Sequence, residues 1–125
     1  MYSKEVGYST ENPDEFCREI LSTGDPKEVR NWLNDRENTL GELQTNEASV
    51  DFITVGYEAG AKTIYAVEID SYPGWGENTG HLVVELPLEN SRRQAVLDWA
   101  APIAHEQGFD AYSDVGQQYI YVKLD

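Results

Sequence analysis

The stretch ASVDFITVGYEAGAKTIYAVEID, Ala48–Asp70, decides the fold. Two runs rich in β-branched and aromatic residues, Ala48–Tyr57 and Lys62–Asp70, flank Glu58-Ala-Gly-Ala61. That pattern predicts a β-hairpin closed by a glycine-containing loop. In the second run Tyr65, Val67 and Ile69 fall on one face and Lys62, Glu68 and Asp70 on the other, which predicts one face open to water. His81–Leu88 alternates again, with Leu82, Val84, Leu86 and Leu88 opposite His81, Val83 and Glu85. The intervening Ser71–His81, SYPGWGENTGH, reads as a long connection between strands.

Toward the C-terminus, Ser91 with Gln94 three residues on predicts a capped helix. Its apolar pattern runs through Val96, Leu97, Trp99, Ala100, Ile103 and Ala104 to a stop at Gly108, with Pro102 inside it as a predicted kink. Phe109–Ser113 and Gln117–Leu124 then read as extended runs around Asp114-Val-Gly116. Toward the N-terminus, 38–47 is a polar connector, and 12–37 predicts a helix pair. Asn12-Pro-Asp-Glu15 and Asp25-Pro-Lys-Glu28 each carry a capping residue, a proline at the first helical position and a capping-box glutamate, and Gly24 ends the first helix.

The order helix, helix, strand, strand, strand, helix, strand predicts an α+β two-layer sandwich: a mixed, mostly antiparallel sheet of about four strands with helices on one face. A ferredoxin-like layout is the nearest common arrangement, although it needs a strand before the first helix, where only Lys4–Tyr8 is placed to supply one. With 125 residues the chain is expected to form one domain, comprising the helix pair at 12–37 and the sheet plus helix at 48–125.

Charge is the outstanding compositional feature. The chain has 23 Asp and Glu against 9 Lys and Arg, a formal net charge of −14. Between Glu37 and Ser91 ten acids face one base, Lys62. Direct nucleic-acid binding is therefore not expected, because phosphate backbones are held by Lys and Arg. The same field draws in basic proteins and speeds their association. Acidity that keeps the protein soluble, or that reflects adaptation to high salt, is the plainer explanation of the same charge. No run approaches the roughly 20 apolar residues of a membrane helix. The first residues lack the apolar core of a secretory signal, and a single cysteine forms no internal disulfide, so a cytoplasmic location is expected.

No complete chemical motif is present. His81 and His105 stand apart with no HExxH or CxxC spacing, so no metal is expected. Cys17 lies on the apolar side of a helix in acidic surroundings, which disfavours a reactive thiolate. No serine sits in GxSxG, and neither glycine-rich stretch matches a phosphate loop, so no cofactor is expected. Trp32 and Trp99 fit helical core stripes, whereas Trp75 sits between glycines with no periodicity to bury it. Tyr57, Tyr65, Tyr119 and Tyr121 supply aromatic area for one sheet face.

The stretch Ala95–Tyr121, a helix leading through GFDAY into a short aromatic strand, resembles the end of the acidic protein inhibitors of ribonuclease E. It carries no functional residue across.

These observations favour a non-enzymatic domain that binds a basic protein, as an inhibitor, immunity protein or regulatory subunit would, through Trp75, Tyr72, Glu77, Glu68 and Asp70. The alternative is a small-molecule binder or enzyme using Glu77, His81 and Tyr65 near the 71–81 loop. A third possibility is a homo-oligomeric structural protein of a salt-adapted organism.

Overall fold

The computed structural model describes residues 13–106 and 112–124. Helices α1 (Asp14–Thr23), α2 (Val29–Leu33), α3 (Asn46–Ala59) and α4 (Asn90–Glu106) are interleaved with seven strands. These are β1 (Lys27–Glu28), β2 (Thr39–Leu40), β3 (Thr63–Val67), β4 (Asp70–Tyr72), β5 (Gly76–Thr79), β6 (His81–Glu85) and β7 (Tyr119–Lys123). The main sheet has the order β1-β3-β6-β7, every pair antiparallel, and a small sheet has the order β2-β5-β4 with a parallel β2–β5 pair. The fold is α+β, with strands mostly antiparallel.

The first half of the deciding stretch is not a strand. Ala48–Tyr57 lies inside α3, because Thr45 stops the extended chain and caps the helix, its hydroxyl accepting the Ala48 N–H at 3.1 Å. Its buried positions Ser49, Ile53 and Gly56 recur at helical spacing, with Phe52 and Tyr57 half-buried beside them. Packing of that stripe outweighs the modest β preference of Val, Ile and Thr. Glu58–Ala61, expected as a hairpin loop, is instead the end of the helix. Gly60, at φ +125°, turns the chain and returns its N–H to Gly56 and Tyr57.

The second half is extended as expected, but only through Val67. Glu68, at φ +54°, breaks the strand and redirects the chain into β4. The expected connection 71–81 is itself a hairpin, β4–β5. Pro73 and Gly74 (φ +82°) are its central turn residues, and the Trp75 N–H closes onto the Tyr72 carbonyl at 2.8 Å. Connector 38–47 holds β2 and the Thr45 cap.

The helix pair is corrected in its second member. Lys27 and Glu28 are extended and pair with Ala66 and Tyr65, so α2 begins only at Val29. Glu28 is its cap, accepting the Asn31 N–H at 2.9 Å, in place of Asp25. The first helix ends at Gly24, whose N–H reaches the Ile20 carbonyl at 2.7 Å. Its expected cap, Asn12, and the expected stop of the last helix at Gly108 lie outside the described residues. Pro102 lies within α4.

The sheet's larger core, including Ile64, Ala66, Leu82, Val84, Ile120 and Val122, packs against residues of α2, α3 and α4. The opposite face is partly covered by α1, where Cys17 and Ile20 meet Val67, Val83 and Tyr121. The two sides expected for 62–70 are exchanged, since Ile64 and Ala66, on the side expected to be open to water, face the larger core while Tyr65 and Val67 face α1. Burial pushes the Cys17 thiol up to about 12, with the Asp14 carboxylate adding to it, so it remains a small apolar group near neutral pH. The Asp14 carboxylate also accepts the backbone N–H groups of Gln118 and Tyr119 at 2.8–2.9 Å, tying α1 to β7. Unlike a split βαβ unit, the two strands that flank α4 are immediate antiparallel neighbours. Arg93, in the first turns of α4, secures the return of the chain. Its guanidinium donates to the Asp114 carboxylate, to the Pro87 carbonyl and to the Gln117 carbonyl, which brings 113–117 back over the helix start.

Candidate protein-interaction hairpin

The β4–β5 hairpin projects its aromatic residues into solvent. Trp75 is 83% exposed and Tyr72 49% exposed. The expected role of a loop tryptophan as an interface anchor thus has an accessible side chain behind it, while Trp32 and Trp99 pack inward. The Trp99 ring stacks on Phe52 with centroids 4.8 Å apart, and its indole N–H reaches the Phe52 carbonyl at 3.2 Å.

Below the tip the hairpin is braced by buried polar groups. Asn38 is 3% exposed; its side chain donates to the Trp32 carbonyl at 2.9 Å and accepts the Glu77 N–H at 3.0 Å. The Trp32 indole N–H donates to one Glu77 carboxylate oxygen at 2.9 Å, and the Ser71 hydroxyl to the other at 3.1 Å. Asn78 adds bonds to Thr39 Oγ1 and the Gly41 carbonyl. Gly76, at φ +83°, lets the Glu37 backbone approach so closely that a Cβ there would overlap the Glu37 carbonyl. The bonds from Trp32 and Asn38 to Glu77, and from Asn78 to Thr39 and Gly41, tie the hairpin to the α2–β2 segment.

Of the expected site residues, Glu77 is engaged by the Trp32 indole and the Ser71 hydroxyl, whereas Asp70 is exposed and shares a strand face with Tyr72. Asn38 was invisible in the sequence, where it reads as one more polar residue of a connector. Only the long-range pairing of β2 with β5 reveals its place.

Glu68 and His81 meet on the α1 side of the main sheet, with Tyr121 as their third member. His81 Nδ1 lies 2.5 Å from Glu68 Oε1 and 2.7 Å from the Tyr121 hydroxyl, which is itself 3.2 Å from Glu68 Oε1. The Phe16 ring stands edge-on to Tyr121 at 5.0 Å. The expected trio Glu77, His81 and Tyr65 is therefore divided. Glu77 joins Trp32, His81 joins Glu68 and Tyr121, and Tyr65 packs with the α1 cluster. Tyr57, expected on the sheet face, lies on α3 instead. Its hydroxyl accepts the Ile64 N–H at 2.9 Å and donates to Glu28 at 2.5 Å, under the Arg30 guanidinium.

Surface depressions among the described residues lie elsewhere. One, of about 520 Å³, is lined by Arg36, Asn46, Glu47, Val50 and Asp51, and another, of about 200 Å³, by Glu42, Leu43, Ile103, Glu106 and Leu124. Among the described residues no group of three or more His, Cys, Asp and Glu is arranged to hold a metal ion, and no helix is long and apolar enough to cross a membrane. In comparisons with known proteins the chain matches no family model, no curated protein and no solved structure.

Proposed function

We propose that the protein is a non-enzymatic binding domain that docks on a basic protein through the β4–β5 hairpin, as an inhibitor, immunity protein or regulatory subunit would. The observation that carries this reading is Trp75, 83% exposed at the tip of a hairpin braced from below. Rigid aromatic residues make anchors at little entropic cost, because few rotamers are lost when they are covered. The net charge of −14 supplies the long-range attraction to a cationic surface.

Affinity capture from the native host's lysate, with wild type and Trp75→Ala as paired baits, tests this. The expected result is a basic protein retained by wild type and lost with the variant. Retention that is indifferent to Trp75, or a partner of acidic composition, would contradict it.

A further inference from the structure

The hairpin carries more chemistry than a general hydrophobic anchor. Tyr72 and Trp75 are the first and last residues of one four-residue turn, joined by the 2.8 Å bond from the Trp75 N–H to the Tyr72 carbonyl. Both rings are exposed. Asp70 precedes Tyr72 by two residues, so strand alternation places its carboxylate on the same side as the tyrosine ring. Asp70 is exposed, and among the described residues its carboxylate forms no ion pair or hydrogen bond. Glu37, also exposed and held against Gly76, brings a second carboxylate to the base of the turn. The nearest cation in sequence, Arg36, borders the depression with Glu47 and Asp51 instead.

Exposed π-faces beside unpaired carboxylates define the ligand by its complement: a cation that is flat enough to lie on a ring and carries N–H donors at its edge. A guanidinium meets both requirements, stacking through its plane and forking onto a carboxylate. An ammonium brings charge and N–H donors but no plane to lie on a ring or to fork onto a carboxylate. Anionic ligands are opposed by the net charge of −14. A purely apolar segment would leave Asp70 desolvated without a partner.

Resting on the binding reading above, we infer that the hairpin is an arginine-recognition site, in which Trp75 and Tyr72 receive the guanidinium of a basic protein segment and Asp70 pairs with its edge.

The test uses synthetic peptides that alternate glycine with arginine or with lysine, titrated into the ¹⁵N-labelled protein. The three indole N–H signals report separately, since that of Trp32 is bonded to Glu77, that of Trp99 to the Phe52 carbonyl, and that of Trp75 to nothing among the described residues. The arginine peptide is expected to move the Trp75 signal while leaving the other two in place. Trp75→Ala and Asp70→Asn are each expected to weaken it by about tenfold, the scale of a partly desolvated cation–π contact or a lost charge pair. The lysine peptide of equal charge is expected to bind several-fold more weakly. Equal affinities for the two peptides, or shifts confined to residues outside 70–77, would overturn the arginine assignment. Either result would leave the wider protein-binding reading to stand or fall by the capture experiment.

Discussion

Arg93 shows how one side chain holds a segment that lacks regular structure. It is 6% exposed, and its guanidinium is shared among the Asp114 carboxylate at 2.7 Å, the Gln117 carbonyl at 2.8 Å and the Pro87 carbonyl at 3.1 Å. Hydrogen bonds to the guanidinium, joined by the Gly116 N–H, hold the Asp114 carboxyl below its ordinary value. A depressed carboxyl stabilises the fold at pH values above the unfolded value, about 3.9, and that contribution is lost as pH falls through the folded one. The stability difference between wild type and Asp114→Asn should therefore be constant near neutral pH and shrink in acid, as read by urea unfolding at several pH values. Arg93→Met should cost about 2 kcal/mol or more, because it leaves buried acceptors unpaired. Trp75→Ala is the opposite case. At 83% exposure it should change stability by no more than about 0.5 kcal/mol, so any loss of binding would reflect the contact itself.

At the scale of elements, α3 is where local preference and packing diverge. A Cβ added at Gly56 would come within 2.6 Å of the Trp99 ring, so the glycine allows α3 and α4 to approach. Alanine is the better helix former by about 1 kcal/mol. Yet Gly56→Ala should lower the melting temperature, because displacing a ring held by its bond to Phe52 costs about 1–3 kcal/mol. Tyr57 joins α3 to β1 and β3. Burial, followed by its bond to Glu28, pushes its hydroxyl up to about 12, from an ordinary value of about 10. A raised value means that this contribution is fully present below pH about 10 and is lost as pH rises through about 12. Tyr57→Phe should accordingly reduce stability at neutral pH, with the difference closing in alkaline titration.

These contacts explain what was legible beforehand. The strand at 63–67, the alternation at 81–85, the helix over 91–104 and the inward roles of Trp32 and Trp99 follow from spacing, which a sequence displays directly. Helix α3 was hidden because its stripe pairs Ser49 and Gly56 with Ile53, and neither serine nor glycine announces burial. The exposure of Trp75 was suggested by its lack of periodicity. The brace of Asn38 and the union of Tyr121 with Glu68 and His81 depend on residues about forty or more positions apart and leave no local signal.

For the molecule as a whole, the acidity acts in two directions. Unbalanced negative charge repels itself within the compact state, so added sodium chloride should raise the melting temperature as the screening length falls to about 10 Å near 0.1 M. The proposed attraction to a cationic partner would be screened by the same ions, so salt that strengthens the fold should weaken such a complex. Scale separates the hairpin from the general field: Trp75 is neutral, and a contact made by it would be short-ranged. The most direct test is therefore the dissociation constant of the captured basic partner, measured against ionic strength for wild type and Trp75→Ala. The expected outcome is two lines of similar slope, both weakening with salt, with the variant displaced by about tenfold or more toward lower affinity. Affinity that is independent of salt, or coincident lines for the two proteins, would contradict docking of a basic protein through the hairpin.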